Sequence, residues 1–405
     1  MEKMHSCEVC GNGELIPVLD LGGHPMCDDL VEVGSDRVCC EYPIEILLCD
    51  RCKTAHQAFQ VPKVDLFPSS YHYRSRFTAD VLNGMKDLVE KCGEFSGPMD
   101  GKLVLDVGCN DGSLLGFFRD RGCRTVGVEP TGAAEDAKEA GHTVYREFFT
   151  PELAGKIAEQ EKPDFIVFTN VFAHIEDLES LLAAVKLLLK EATVVVVENH
   201  YLDTVLNSNQ FDTFYHEHPR TYSVTSFKFM AETLGLSISR LEFPSRYGGN
   251  IRVFMGGNSI DDPAMDASIK AVLVREAKTL EKFRGMEQRM DTWIKNKKAQ
   301  LDELVAQRGA IRAKAFPGRA AILVKLLGLN KDHIALVYEK PGSMKVGHYL
   351  PGTRIPIVAD DETLKGGEED VILNFAWHIS KEISAYLSSA GFRGKVIDIV
   401  EDSDF

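Results

Sequence analysis

No run of five or six lysines and arginines occurs in the 405 residues, and 61 acidic against 46 basic side chains leave a formal net charge of -15. Such a balance repels a polyphosphate backbone unless the basic residues gather in one patch, which argues against a nucleic-acid partner. Also missing is any stretch near the roughly 20 apolar residues needed to cross a bilayer. The opening segment MEKMHSCEVCGNGELIP has no apolar core of the kind a signal peptide carries. These absences lead us to expect a soluble, cytoplasmic chain with no membrane partner. Repeats and low-complexity tracts are lacking too, and the length exceeds what one hydrophobic core usually organises, so two or three domains are expected.

Cysteine, by contrast, is concentrated: seven of the ten lie in the first 52 residues. In a reducing compartment such crowding favours metal over disulfides. Cys7 and Cys10 form one C-x-x-C, and Cys49 and Cys52 form another. In each pair a tight turn lets two thiolates grip one tetrahedral ion, and a hairpin between the pairs returns the second knuckle to the first. The 38 intervening residues are more than a zinc ribbon usually has, so two unrelated cysteine pairs on loops is the competing reading. Four cysteines leave no open coordination position, which makes the expected zinc structural. Cys27, Cys39 and Cys40 stand by as substitutes, while His24 and His56 are not assigned. Residues 1 to about 70 are short of apolar side chains for a core of their own, a deficit that a metal would fill.

From Lys102 onward apolar runs alternate with helical stretches. KLVLDVGC, RTVGVEP, DFIVFTN and TVVVVENHY read as buried parallel strands separated by segments such as DLESLLAAVKLLLK. That pattern predicts an α/β fold with a doubly wound sheet. LSISRLEF and NIRVFMGG follow as a terminal hairpin, which is expected of a Class I methyltransferase and unusual in a nicotinamide-binding domain. Residues 264 to about 308 carry charged and apolar residues at helical spacing with no glycine between Asp266 and Arg284, which predicts a long helical connector. AIRAKAF, HIALVYEK, IPIVA, DVILNFAW and KVIDIV then restart the rhythm as a smaller Rossmann-like domain. The expected divisions are 1–70, 71–260, 261–308 and 309–405.

A strand runs into a glycine turn and a helix at Leu103-Val104-Leu105-Asp106-Val107-Gly108-Cys109-Asn110-Asp111-Gly112. Gly108 and Gly112 let backbone come close to a ligand, and Glu129 ends the next strand, where a carboxylate accepts both ribose hydroxyls. A nicotinamide site would require G-x-G-x-x-G. Here the run is G-C-N-D-G, with Asp106 and Asp111 where a pyrophosphate would be repelled and a sulfonium would not. Asn170 leaves the fourth strand at its carboxyl edge, and His174 is either a contact for the cofactor's methionine end or packing. Beyond the fifth strand comes Phe211-Asp212-Thr213-Phe214-Tyr215-His216-Glu217-His218-Pro219. So many titratable groups rarely serve stability alone. One reading is a metal site, weakened by the absence of helical H-E-x-x-H spacing. A second is acid/base chemistry with His218 as base and Glu217 orienting or polarising it. A solvated polar loop is the plain alternative.

Taken together, the two C-x-x-C knuckles, Y-H-Y-R-S at 71–75, D-V-G-C-N-D-G at 106–112, F-D-T-F-Y-H-E-H at 211–218, Y-G-G-N-I-R at 247–252 and K-V-G-H-Y-L-P-G-T-R-I-P-I at 345–357 carry a resemblance. The chain resembles the bacterial sugar C-methyltransferases, which act on nucleotide-linked 4-keto-deoxysugars. The resemblance spans nearly the whole chain. It implies S-adenosylmethionine as cofactor, with Asp106, Gly108, Asn110, Asp111, Gly112, Glu129, Asn170 and His174 around it. Tyr215, Glu217 and His218 belong to the implied catalytic centre, His218 as general base, joined by Tyr71 or Tyr73. Tyr247, Gly248, Asn250 and Arg252 correspond to an H-G-G-S-L-R element beside the sugar nucleotide, with Tyr247 and Asn250 replacing its histidine and serine. In the C-terminal domain Ala315-Phe316-Pro317-Gly318-Arg319-Ala320 departs from a Gly-Ala-x-x-Lys-Gly-like turn, so no dinucleotide is expected there. Lys325, His348 and Arg354 are conceivable diphosphate or base contacts. The implied reaction removes the proton at C3, or C5 in some relatives, next to the ketone and methylates the carbanion. The rivals are a nicotinamide-dependent sugar oxidoreductase and a non-catalytic zinc-containing scaffold.

Overall fold

A computed structural model describes residues 3–62, 66, 74–77, 79–257, 263–361 and 364–405. The cysteine-rich segment forms β1 (Ile16–Pro25), a short β2 (Val31–Glu32), β3 (Glu41–Cys49) and β4 (Thr54–Gln57). The central part then supplies β5 (Leu103–Val107), β6 (Arg124–Val128), β7 (Thr143–Tyr145), β8 (Phe165–Thr169) and β9 (Val194–His200). After β9 come β10 (Arg220–Thr221), β11 (Ile238–Glu242) and β12 (Asn250–Gly256).

The central sheet has the order β11-β12-β9-β8-β5-β6-β7. Its β5 to β9 strands pair in parallel, and β12 runs antiparallel to both β9 and β11. Helices such as Ser113–Arg119 and Leu178–Leu188 follow individual strands. Because these helices leave no face of the sheet open, β5 is buried along its whole length and β9 carries four consecutive buried valines. Strand order reverses between β5 and β8, which opens a crevice at their carboxyl ends.

The C-terminal part is a second parallel sheet made from β13 (Ile311–Lys314), β14 (Ile334–Glu339), β16 (Ile357–Ala359), β17 (Val371–Asn374) and β18 (Lys395–Asp398), ordered β16-β14-β13-β17-β18. Between β14 and β16, β15 (His348–Tyr349) pairs with β2 and links this domain to the cysteine-rich one. The fold class is therefore α/β, as the alternating pattern predicts.

Two expectations change. The cysteine-rich sheet has the order β1-β3-β4-β10, so its fourth strand comes from the segment after β9, where Arg220 faces His56 and Thr221 faces Ala55. Val18, Leu19, Ile44, Ile46 and Leu48 share one core with the long helix Thr279–Arg308 and the C-terminal sheet. The module obtains its apolar core from the rest of the chain and not from metal alone.

The expected connector is also two helices, Pro263–Glu276 and Thr279–Arg308. Glu276 is buried because its carboxylate accepts from Tyr201 Oη at 2.8 Å and from the amides of Val224 and Thr225, at the start of helix Val224–Leu234. A carboxylate there meets the free amides and the positive end of the helix. The second helix places Phe283, Met286, Met290, Trp293 and Leu301 on one buried seam at spacings of three, four and eight residues. Trp293 packs on Phe211 with ring centroids 4.9 Å apart and donates Nε1–H to the Ile399 carbonyl at 2.9 Å. One side chain thus joins the loop after β9 to the C-terminal domain. Trp293→Ala is expected to cost about 3–5 kcal/mol of stability. A denaturant midpoint equal to the wild-type value would contradict this packing role.

Candidate active site and zinc site

A zinc ion held by four thiolates at about 2.3 Å places its sulfurs roughly 3.8 Å apart. The Cys7 and Cys52 Sγ atoms are 3.4 Å apart, those of Cys10 and Cys49 are 3.5 Å apart, and all four lie within 4.8 Å of one another. Both knuckles turn tightly: the Gly11 amide returns to the Cys7 carbonyl and the Lys53 amide to the Cys49 carbonyl, each at 2.8 Å, with positive φ at Gly11 and Lys53. Thr54 Oγ1 lies 3.0 Å from the Cys52 sulfur, Asn12 Nδ2 donates to the Cys49 sulfur at 3.6 Å, and His56 Nε2 lies 3.3 Å from the Cys7 sulfur. Such outer contacts orient thiolates. Cys27, Cys39, Cys40 and His24 lie outside this cluster.

A cavity of about 500 Å³ opens where the carboxyl ends of the central strands meet the other two domains. Asp106, Gly108, Asn110, Glu129, Asn170 and His174 line it. Gly108 has φ +78°, and a Cβ there would lie 2.5 Å from Val171 Cγ2, so any larger residue would clash. Glu129 accepts the Asn110 amide at 3.1 Å and the Thr131 amide at 2.9 Å, which locks the turn against the strand end. Burial first and the nearby Glu129 second raise the Asp106 pKa to about 8. Asp111 and Gly112 do not line the cavity. The Asp111 carboxylate accepts from Ser113 and from the Arg76 amide at the helix start. Gly112 lets that turn pass Ala137 and His142, which a Cβ would approach to 2.9 Å.

The side chains of the 216–218 segment diverge around a turn that the His218 amide closes on the Tyr215 carbonyl at 2.9 Å. His216 turns to the cysteine-rich sheet, where Nε2 bonds the Tyr42 carbonyl at 3.1 Å. His218 turns into the cavity, beside Tyr215, His174 and His200 at ring-centroid distances of 4.2, 4.8 and 5.3 Å. Its Nδ1 lies 3.0 Å from the Thr213 carbonyl. A carbonyl only accepts, so Nδ1 carries the proton and Nε2 keeps its lone pair. The orienting partner of His218 is therefore Thr213 and not Glu217. The Glu217 backbone carbonyl instead accepts from His174 Nδ1 at 2.7 Å.

Burial and then the neighbouring imidazoles hold the His218 pKa well below its ordinary value. Burial likewise lowers His174 to about 4, His200 to about 3 and His216 to about 4. In the opposite sense, burial followed by Asp28 raises Glu217 to about 8. The cavity is thus lined by neutral imidazoles and by a carboxyl that stays protonated near neutrality.

Gly248, Asn250 and Arg252 do not line the cavity. Arg252 is fully buried in ion pairs to Glu198 at 2.7 Å, Glu242 at 2.7 Å and Asp87 at 2.9 Å. Asn250 Nδ2 holds Asn170 Oδ1 at 3.2 Å, and the Gly248 carbonyl accepts Gln210 Nε2 at 2.7 Å. They brace the strand ends that line the cavity. Tyr71, Tyr73 and the side chain of Tyr247 lie outside the described residues. Lys325, His348 and Arg354 also stand apart: Lys325 pairs with Glu41, His348 pairs with β2, and Arg354 donates to the carbonyls of Ser35, Asp36 and Arg37. The C-terminal domain lines the cavity with Pro317, Gly318, Arg319, Lys345 and His378, and the cysteine-rich segment with Cys27 and Asp28. Of these, Lys345 falls in a motif that sequence singles out, Pro317, Gly318 and Arg319 in a turn marked as a departure, and Cys27 among the substitute metal ligands; no local pattern marks Asp28 or His378.

A methyltransferase domain model matches residues 74–241, a C-methyltransferase C-terminal domain model matches 245–399, and a domain described as zinc binding matches 7–67. The C-methyltransferase NovU of Streptomyces niveus is 30% identical over 393 residues, which cover 95% of this chain and 92% of that one. The chain belongs to the C-methyltransferase family. Among solved structures it is similar to the magnesium protoporphyrin IX methyltransferase of Synechocystis PCC 6803 with bound SAH, at 14% identity over 44% of this chain and 84% of that one, TM-score 0.35. It is also similar to a SAM dependent methyltransferase of Archaeoglobus fulgidus, at 16% identity over 43% and 94%, TM-score 0.36. This C-methyltransferase depends on S-adenosylmethionine and has a zinc-binding domain with a four-cysteine cluster. Family membership sets aside the oxidoreductase reading. No described helix is long and apolar enough to cross a membrane.

Protein purified without chelator is expected to hold one zinc per chain, and Cys49→Ser should lower both metal content and unfolding temperature. Absence of tightly bound zinc, or a water ligand seen by X-ray absorption, would contradict a closed four-thiolate site. A second expectation concerns pH. The unfolded chain protonates its histidines near 6.5, whereas folded His174, His200 and His216 resist protonation to about 4, 3 and 4. Below about pH 6.5 the unfolded state binds more protons, so stability falls with acidification. Glu217 and Asp106, raised to about 8, act oppositely: their contribution is lost as pH rises from the ordinary carboxyl range to about 8. The histidines outnumber these two carboxyls, so ligand-free stability should peak near pH 6.5. Melting temperatures that climb steadily from pH 6.5 to 5 would count against this balance.

Proposed function

We propose that this methyltransferase methylates the carbon next to the ketone of a nucleotide-linked 4-keto-deoxysugar, at C3. The observation that carries the reading is His218: buried, facing the cavity, and fixed by the Thr213 carbonyl in the tautomer that leaves Nε2 able to accept a proton. A carbon-bound hydrogen is too weakly acidic for imidazole unless an adjacent carbonyl takes up the charge, which is why the reading requires a ketone.

On this reading Asp106, Gly108, Asn110, Glu129, Asn170 and His174 surround the cofactor, with Glu129 holding the ribose hydroxyls. When bound, S-adenosylmethionine supplies an electrophilic methyl group on a positively charged sulfur. His218 Nε2 takes the proton from C3, and the electron pair passes to the ketone oxygen. Tyr215, together with Tyr71 or Tyr73, stabilises that oxygen, and Glu217 contributes a protonated carboxyl to the same wall. Lys345 suits a diphosphate: its ammonium donates to the Phe316 carbonyl at 2.9 Å and keeps two further protons for an anion.

His218→Asn is expected to abolish both methyl transfer and cofactor-independent exchange of the substrate's α-hydrogen with deuterium, while both ligands still bind. The assay would screen a panel of nucleotide-linked 4-keto-deoxysugars. Exchange at the wild-type rate in that variant would hand the role to Tyr215 or His174. A wild-type protein that methylates nothing in the panel would favour the scaffold reading.

A further inference from the structure

The loop that holds His218 is gripped by one arginine from another domain. Arg319, in the turn after β13, lies with Nε 3.2 Å from Asp212 Oδ2 and donates from Nη1 to Thr213 Oγ1 at 2.9 Å. Trp377 Nε1 donates to the same Asp212 oxygen at 3.2 Å, and its ring lies 5.9 Å from the guanidinium carbon. The side chains of Asp212 and Arg319 are only 2% and 9% exposed, and Thr213 is fully buried. Thr213 is the residue whose carbonyl accepts from His218 Nδ1. A flat guanidinium that binds two consecutive residues in fixed directions sets the orientation of the peptide between and beyond them.

From this geometry we propose that Arg319 is a positioning residue: the C-terminal domain aims His218 through the chain Arg319, Asp212, Thr213 carbonyl, His218 Nδ1. The proposal rests on the reading of His218 as the base. A buried Arg–Asp pair gives little net stability over apolar side chains of equal volume, because desolvation offsets the Coulomb attraction. What it supplies is register. The loop's other anchors are His216 on Tyr42, Gln210 on Gly248 and the backbone bonds of the single turn Phe211–Thr213, Thr213 N–H to the Gln210 carbonyl at 2.9 Å and Phe214 N–H to the Phe211 carbonyl at 3.3 Å; none of these holds the Thr213 side chain. Without Arg319 the turn that presents the Thr213 carbonyl keeps only its backbone bonds, of which Phe214 N–H to Phe211 is long at 3.3 Å; the carbonyl shifts, the Nδ1–H bond weakens, and the imidazole populates the tautomer whose Nε2 carries the proton and cannot accept one. Arg319 therefore controls the fraction of enzyme in which the base is both aimed and unprotonated at the right nitrogen.

The test compares Arg319→Met, Arg319→Lys, the Asp212→Asn/Arg319→Met double variant and His218→Asn, all in the full zinc-loaded chain. Histidine ¹⁵N spectra, with the His218 signal assigned by its loss in His218→Asn, read the tautomer without any substrate. Wild type should show His218 protonated at Nδ1, and Arg319→Met a mixture of tautomers. For the panel sugar nucleotide that wild type methylates, Arg319→Met should lower kcat and α-deuterium exchange together, by about 100-fold for a displacement near 1 Å, with KM unchanged. Arg319→Lys should recover part of the loss, because an ammonium reaches one of the two partners and not both. The double variant leaves no stranded carboxylate, so its unfolding temperature should approach wild type while kcat stays low, which separates aiming from folding. A wild-type tautomer in Arg319→Met, or a loss expressed wholly in KM, overturns the positioning role. If instead the tautomer shifts but His218→Asn still exchanges at the wild-type rate, the base assignment is what falls, and the proposed role in catalysis falls with it.

Discussion

Burial of the segment from Phe211 to His218 among three domains is the constraint on which the rest of the architecture depends. A loop that carries Asp212, His216, Glu217 and His218 would ordinarily sit in water, because each polar group taken out of solvent must find a partner or lose its charge. Here both solutions operate. His216 and His218 reach backbone carbonyls, Asp212 reaches Arg319 and Trp377, and Glu217 remains protonated. The partners come from the cysteine-rich sheet, from the loop itself and from the C-terminal domain. No one of the three domains could satisfy the loop alone, and this explains why their apolar cores merge.

Zinc acts as a scaffold for the same loop. The two knuckles fix the ends of the long hairpin whose β3 strand offers the Tyr42 carbonyl to His216, and whose connection brings Cys27 and Asp28 to the cavity wall. Four thiolates fill a tetrahedral ion, so the metal has no position for substrate. Glu8 pairs with Arg220 and approaches His56, which touches the Cys7 sulfur, so the β10 residue that closes the sheet is tied to the knuckle by charge as well as by backbone bonds.

Features written in contiguous residues are legible in the sequence. The C-x-x-C pairs, the strand and glycine turn at Asp106 to Gly112, and the second α/β unit appear in the structure because turn geometry, unbroken apolar strand runs and period-3.6 helix burial act locally. The division of labour inside the motifs is not legible. Asp111 and Arg252 sit in recognisable segments, yet the fold makes the first an acceptor for Ser113 and the Arg76 amide and the second a buried ion-pair centre, which depends on Arg76 and Glu198 far away in the chain. The partner of Thr213, Arg319, is 106 residues distant and has no periodic signature. Likewise local composition hides what completes the cysteine-rich sheet: its fourth strand is two residues long and arises after β9.

On the proposed reading of His218 as the base, the site has to reconcile a depressed pKa with that work. In the ligand-free chain its neighbours are two imidazoles and the Arg319 cation, all of which oppose protonation along with burial. That keeps Nε2 unprotonated over the whole neutral range, with a loss of basicity. Charge that enters the cavity acts in the other direction. On that reading an anionic substrate, and above all an oxyanion growing on a ketone within a few ångströms, would stabilise the imidazolium far more in a water-poor cavity than in solvent. The base therefore gains strength as the proton moves. On the same reading imidazole neighbours suit the base better than an ionised carboxylate would, because a permanent anion beside His218 would raise its pKa and favour the imidazolium before substrate arrived.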